Sequence, residues 1–235
     1  MSDRFSYSNP WARGNEPWFR LGRMDVTTTV ALVSLGILSM LIWAFEGRNH
    51  EFSLRILLDA EKVQEGEIWR LVTWPFVNQP DIWTILLFFI LYLLGNQLEN
   101  LMGRRPFLVF LLALTIIPGV GVFLYGLGNS PSELMAGLRY VELGVLIAFA
   151  AQYPRARFWP GVPAWGIVGV IYGLEILSAI TVRSGARAIL LMCVAATALV
   201  GFRSFGYASD LHWIPKVKLP AFVTGDFRQR PRRST

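Results

Sequence analysis

The stretch Glu67–Gly103, EIWRLVTWPFVNQPDIWTILLFFILYLLGNQLENLMG, decides how the chain is organised. It begins as a segment rich in aromatic residues and continues as an uncharged apolar run from Ile82 to Leu98. The basic pair Arg104 and Arg105 follows directly. Aromatic rings favour the headgroup level of a bilayer, and basic residues favour its cytoplasmic side. The stretch therefore predicts a loop that dips into the membrane interface, a spanning helix and a basic cytoplasmic turn.

The composition of the chain is that of a membrane protein. Charged residues make up 16% of the sequence and hydrophobic residues 54%, whereas a soluble domain carries about 25% charged residues. Several uncharged apolar runs also approach the length that spans a bilayer. These features exclude a soluble enzyme with a large core and predict an all-α, polytopic membrane protein.

Six apolar segments are predicted to span the membrane. They run from Val26 to Phe45, Ile82 to Leu98, Phe107 to Gly126, Leu134 to Tyr153, Val162 to Ile180 and Ala186 to Gly201. The prediction is a six-helix membrane domain over residues 26–205, between an N-terminal tail of residues 1–25 and a basic C-terminal tail of residues 206–235. Basic residues concentrate in both tails and in the turns after the second and fourth segments. The positive-inside rule therefore predicts that both tails are cytoplasmic.

The remaining composition limits the partners and the compartment. The formal charge of +6 is spread over tails and turns, so we expect the lipid bilayer, and no nucleic acid, to meet these basic residues. Cys193 is the single cysteine, and no metal-ligand spacing or phosphate-binding loop is present, so we expect no disulfide, metal or other cofactor. The first residues are too polar for a cleaved signal peptide. Together with the basic cytoplasmic face, this favours a bacterial plasma membrane.

Two short motifs flank the start and the end of the second predicted span. Trp69 and Arg70 form one motif in the first loop, and Gly95, Glu99 and Gly103 form the other at a four-residue spacing. On these motifs the chain resembles the rhomboid superfamily of intramembrane serine proteases and their inactive relatives. The resemblance implies a rhomboid-like six-helix bundle with a long, membrane-dipping first loop.

The groups that active rhomboids use for catalysis are missing. Those enzymes need a serine on the fourth helix and a histidine on the sixth, because a hydroxyl attacks only when a base can take its proton. Here Arg139 stands at the serine position and Leu190 near the histidine position, while the two histidines, His50 and His212, lie outside the predicted spans. The residues that help to hold the oxyanion fall on Asn78, Trp83 and Leu87. The resemblance thus implies a pseudoprotease without catalytic residues, which binds transmembrane segments of client proteins to retain them, escort them or pass them on for degradation.

A group of charged residues lies within the predicted spans. Its members are Arg139, Glu142, Glu175 and Arg187. Such charges are costly in a bilayer and normally face one another or a water-filled cavity. We expect Arg139 to pair with Glu142 or Glu175, in the space that an active rhomboid uses for catalysis. Two interpretations stay open: a polar cavity that recognises transmembrane partners, and a buried ion pair that only fixes helix packing.

Two competing functions are an intramembrane protease and a small transporter. A protease of unorthodox chemistry would need a base that the sequence does not offer, and a transporter would be expected to show an inverted repeat of hydropathy. Trp69 and Arg70 either perturb lipid locally or act structurally, with Arg70 bound to loop carbonyls or to Glu99. Gly169 and Gly173 are predicted to let helices approach closely within the fold. The oligomeric state does not follow from the sequence.

Overall fold

The computed structural model describes residues 19–21, 24–47, 49–128, 133–154, 156–158, 161–207, 215 and 217. Over this part of the chain the α-helices are α1 (Thr28–Phe45), α2 (Glu51–Ile56), α3 (Ala60–Gln64), α4 (Arg70–Thr73), α5 (Ile82–Met102), α6 (Arg104–Gly126), α7 (Arg139–Gln152), α8 (Ala164–Thr181) and α9 (Gly185–Ser204). A 3-10 helix, Trp74–Phe76, follows α4. Two small antiparallel sheets pair β1 (Phe19–Leu21) with β2 (Met24–Val26), and β3 (Arg157–Phe158) with β4 (Val162–Pro163). Most of the two predicted tails, including His212, lies outside the described residues.

Within the described ranges, five helices are long and apolar enough to cross a membrane: α1, α5, α6, α8 and α9. At about 1.5 Å per residue, α5 and α6 rise by roughly 32 and 35 Å, enough for a hydrocarbon core of about 30 Å. This confirms a helical, polytopic membrane protein. The fourth predicted span differs, because α7 has 14 residues and rises by only about 21 Å. The sixth crossing therefore stays a prediction.

The expected helical start at Leu134 is wrong, because the backbone before α7 is paired with the first loop. Met135 exchanges two backbone hydrogen bonds with Leu58, of 2.9 and 3.0 Å, and the amide of Gly137 donates to the carbonyl of Trp74 at 3.1 Å. Gly137 also has φ +108°, a left-handed conformation that favours glycine. Non-helical backbone at membrane depth is tolerated where protein groups satisfy it. Hydropathy alone does not reveal these partners.

The helix α7 is the centre of the bundle. Every residue from Tyr140 to Ala150 is buried, and α7 packs against α5, α6, α8 and α9. A helix that is apolar on all sides belongs to the core. Around it, α6 packs mainly against α9, and α1 against α5. Side chains between Tyr140 and Ala150 therefore have few ways to reach the outside, which matters for Glu142.

The first loop reaches into the bundle rather than resting at its end. Trp74 is fully buried, and its indole N–H donates to the carbonyl of Thr115, near the middle of α6, at 3.2 Å. Trp69, by contrast, is 50% exposed. The loop thus enters the helical bundle, because Trp74 has a hydrogen-bond acceptor halfway along α6, while its depth in a membrane stays a prediction. We call the end of the bundle that carries residues 46–81 the loop end.

Arg70 holds this loop together. The residue is 5% exposed, and its Nη1 donates to the carbonyls of Leu54 at 2.8 Å and Leu57 at 2.9 Å. Its Nε forms an ion pair with Glu67 at 2.5 Å. Of the two predicted kinds of partner, loop carbonyls are therefore found and Glu99 is not. One guanidinium ties three stretches of the loop because its donors point in fixed, separate directions.

The motif at the end of α5 fastens α1 to α5. Glu99 is 3% exposed and accepts hydrogen bonds from the amides of Thr28 and Thr29 at 2.7 and 2.8 Å and from the Thr29 hydroxyl at 2.7 Å. A carboxylate at a helix N-terminus satisfies free amides and favours the positive end of the helix dipole. Gly103 has φ +81° and ends α5 before the turn into α6. The predicted end of this helix at Leu98 is four residues short, because these hydrogen bonds satisfy the Glu99 carboxylate inside the bundle and α5 ends at Met102.

Gly95 leaves the space that Thr29 occupies, which predicts the effect of a larger residue. A Cβ atom at Gly95 would lie 2.7 Å from Cγ2 of Thr29, so Gly95→Val is expected to push α1 from α5. We expect it to destabilise by about 1–3 kcal/mol, a fall of roughly 3–10 °C in Tm. Unfolding in detergent can be followed by thiol labelling of Cys193, the single cysteine.

Gly169→Val provides the matched control. A Cβ atom at Gly169 or at Gly173 would meet nothing within 4 Å, so the prediction that these glycines serve packing within the fold is wrong. Their side of α8 points away from the helices that α8 contacts. Equal Tm values for Gly95→Val and Gly169→Val would contradict the assigned role of Gly95.

Candidate functional site

A cavity of about 610 Å³ lies between α5, α7 and α8 at the loop end of the bundle. Its walls are mainly leucine and isoleucine side chains from these three helices. On α8 the lining residues are Ile167, Ile171 and Glu175, which are four apart and so share one helix face. Trp83 of α5 also lines the cavity and is 67% exposed. The cavity therefore opens to the outer surface of the bundle beside α5.

An ion pair joins two of its walls. Arg139, the first residue of α7, contacts Oε1 of Glu175 on α8 through Nη2. The Arg139 side chain is 47% exposed and that of Glu175 is 19% exposed. Of the two partners predicted for Arg139, the structure places Glu175 in contact. The pair links α7 to α8 at the end of the cavity nearest the loop.

Glu142 lies one helical turn further into the bundle. It is 4% exposed and lines the same cavity. Its carboxyl group has no hydrogen bond or ion pair to any residue in the described ranges, so the alternative pair between Arg139 and Glu142 does not form. The Arg139 guanidinium extends instead towards α8. The cavity thus contains a buried carboxyl group that no described residue contacts through a hydrogen bond or an ion pair.

Arg187 is separated from the other three predicted residues. It is not among the residues that line the cavity, and its Nη1 donates to the hydroxyl of Ser178 at 3.3 Å. Tyr140 lies between the two arginines: its ring centroid is 5.2 Å from the Arg139 guanidinium, and its hydroxyl interacts with Arg187. Sequence reasoning missed Tyr140. The available signal was a tyrosine directly beside an arginine in an apolar segment, since a buried tyrosine hydroxyl needs a partner.

Asn78 and Leu190, two of the positions to which the resemblance assigned catalytic groups, are buried within the fold. Asn78 is buried and fully engaged, donating to the Ser39 hydroxyl and the Pro75 carbonyl and accepting from the Leu138 amide, each at 2.9 Å. Leu190 is fully buried. His50 stacks on Trp43 with ring centroids 4.0 Å apart, at the start of the loop.

Among the described residues that line the cavity, none is serine, threonine, cysteine or histidine. Apart from the Tyr140 hydroxyl, the described lining offers charged groups and hydrogen-bond acceptors among apolar side chains.

The comparison with known protein families fits this membrane architecture. A family model described as "Eukaryotic integral membrane protein (DUF1751)" matches residues 29–207, from the first turn of α1 to just beyond α9. Among curated proteins, none matches the chain.

The eukaryotic description of the family shows that the predicted bacterial plasma membrane is wrong. Basic residues beside spanning helices report which side of a membrane a loop occupies, and they do so in any cell. They carry no information on the compartment. The family match extends over residues 29–207, well over half of the chain, so this chain belongs to the DUF1751 family of eukaryotic integral membrane proteins.

Proposed function

We propose that this chain is a rhomboid-like membrane protein without peptidase activity, and that its cavity binds a transmembrane segment of another membrane protein. The observation that carries the proposal is the open cavity between α5 and α8, with apolar walls and charged groups at its base. Helices associate in a bilayer through close packing and polar contacts rather than through the hydrophobic effect. A cavity with apolar walls and charged groups can offer close packing and polar contacts to one face of a spanning helix.

The rhomboid-like scaffold is supported by the course of the chain. The helix α6 ends at the loop end, whereas α8 approaches Arg139 only near its own C-terminus, through Glu175. The chain must therefore return across the bundle between α6 and α8, and α7 with the extended segment before it is the sixth crossing in this proposal. The deep loop held by Arg70 and the contact of Glu99 with α1 give structural roles to both sequence motifs.

The absence of peptidase activity is supported by the chemistry of the lining. Arg139 stands where the resemblance expects the nucleophile, and an arginine guanidinium keeps its proton in proteins, so it cannot act as a base. Tyr140 is the one hydroxyl among the described lining residues. The lining therefore favours recognition over hydrolysis.

A photocrosslinking amino acid placed at Ile171 in the full chain, in its native membrane, tests the proposal. Ile171 lines the cavity, so we expect adducts that mass spectrometry maps to spanning segments of other proteins. The matched control is Val170, the adjacent residue of α8, which is 63% exposed and is not among the lining residues. We expect lipid adducts there. Adducts with lipid alone at both positions, or cleavage of the captured segment, would overturn the proposed function.

A further inference from the structure

Glu142 is the most deeply buried acid of the cavity lining. It is 4% exposed, and within the described part of the chain it makes no hydrogen bond or ion pair. The nearest cation on its own helix, Arg139, contacts Glu175 instead. A buried carboxyl group without a partner is unfavourable, because burial removes the water that would otherwise solvate it. Glu142 therefore points to a ligand that supplies the missing donor.

Acidic residues outnumber basic residues in the lining of the cavity. Its described members include three acids, Asp81, Glu142 and Glu175, and one base, Arg139. Oε2 of Glu175 is buried and has no hydrogen-bond partner there, and the Asp81 side chain makes no bond to the start of α5. Glu142 faces the cavity, so it is the acid that an added cation could approach. The complement of this cavity is thus a positive group.

A metal ion fits these residues poorly. No group of three or more His, Cys, Asp or Glu side chains that could hold one occurs among the described residues. The surrounding walls are long apolar side chains, which suit a cation carried on a hydrocarbon stem. Lysine and arginine have such stems, which pack along apolar surface while the charged head reaches a polar group.

We propose that the segment bound in the cavity carries a lysine or arginine within the membrane, about one helical turn from its loop-end terminus, and that this cation pairs with Glu142. The inference rests on the proposed function and names its partner class. A basic residue inside a bilayer is costly for an isolated helix. Such a segment therefore gains more from this cavity than a fully apolar one does.

Synthetic leucine-alanine helices that carry one lysine, one leucine or one glutamate at that depth provide the test. Each helix carries a diazirine beside the variable residue, and the full-length protein is reconstituted with it in phosphatidylcholine nanodiscs. We expect the lysine helix to label peptides of α5, α7 or α8 about three- to tenfold more than the leucine helix, the range that polar contacts between spanning helices provide. Glu142→Gln should reduce this preference. Glu61→Gln, at an exposed residue of α3 outside the cavity, should leave it unchanged.

The outcomes separate the two proposals. Equal labelling by the lysine and leucine helices would overturn the basic partner and leave transmembrane binding standing. Labelling by none of the helices would overturn both. A preference for the glutamate helix, or a lysine preference that persists in Glu142→Gln, would refute the assigned contact. Loss of labelling when phosphatidylethanolamine is added would assign the cavity to a lipid amine instead. Unchanged protection of Cys193 from thiol labelling shows that each variant is folded.

Discussion

Arg70→Ala is expected to lower the Tm of the detergent-solubilised protein by on the order of 10 °C. The guanidinium is buried and binds the carbonyls of Leu54 and Leu57 as well as Glu67. Removing one partner from a buried, charged network leaves the others unsatisfied, at a cost of about 3–5 kcal/mol. The measurement is thermal unfolding followed by thiol labelling of Cys193. Because the loop also holds Trp74 in the bundle, the loop should become sensitive to protease at lower temperature.

The control for Arg70 lies in the same loop. Arg55 is exposed, so Arg55→Ala should change stability by less than about 0.5 kcal/mol. Arg70→Lys should give an intermediate Tm, since an ammonium group keeps the charge but not the forked geometry. If Arg70→Ala unfolds at the same temperature as Arg55→Ala, the loop is not held by this residue.

Glu99→Ala is expected to destabilise the protein by about 3 kcal/mol, or roughly 6–12 °C in Tm. The carboxylate accepts three hydrogen bonds from Thr28 and Thr29 at the start of α1. Its removal takes a charged acceptor from buried donors at the positive end of a helix. Hydrogen exchange should show faster exchange in the first turn of α1, while α6 and α9 keep their protection.

Two further variants serve as comparisons for Glu99→Ala. Asn100→Ala changes the exposed neighbour on the same helix and should leave Tm almost unchanged. Glu99→Gln keeps one acceptor oxygen without the charge, so its Tm should fall between those of the wild type and Glu99→Ala. Uniform loss of protection across all helices in Glu99→Ala would speak against a local role in holding α1.

Much of the helical layout could be predicted, because hydropathy is a local property. The second predicted span and α5 both begin at Ile82, and the fifth predicted span ends one residue before α8 does, at Thr181. The prediction failed where distant partners intervene. Leu134 to Leu138 is apolar enough for a helix, yet Leu58, Trp74 and Asn78 take its backbone groups.

The candidate site was predictable only in its residue types. Their positions as charged residues within apolar segments identified Arg139, Glu142, Glu175 and Arg187. Which of them pair depends on the relative orientation of α7 and α8. The residue pattern along a single helix does not predict that orientation. The same limit explains why Tyr140 was missed and why Arg187 lies outside the cavity.

The sequence by itself determined that this is a helical, multi-pass membrane protein with a structured first loop and without a histidine in its spans. Hydropathy, charge and residue identity are read position by position, so folding cannot change them. The tertiary structure decided that α7 is short and central, that Arg70 binds loop carbonyls and that Glu142 faces a cavity without a partner. Those outcomes depend on contacts between residues far apart in the chain, and only the packed bundle brings them together.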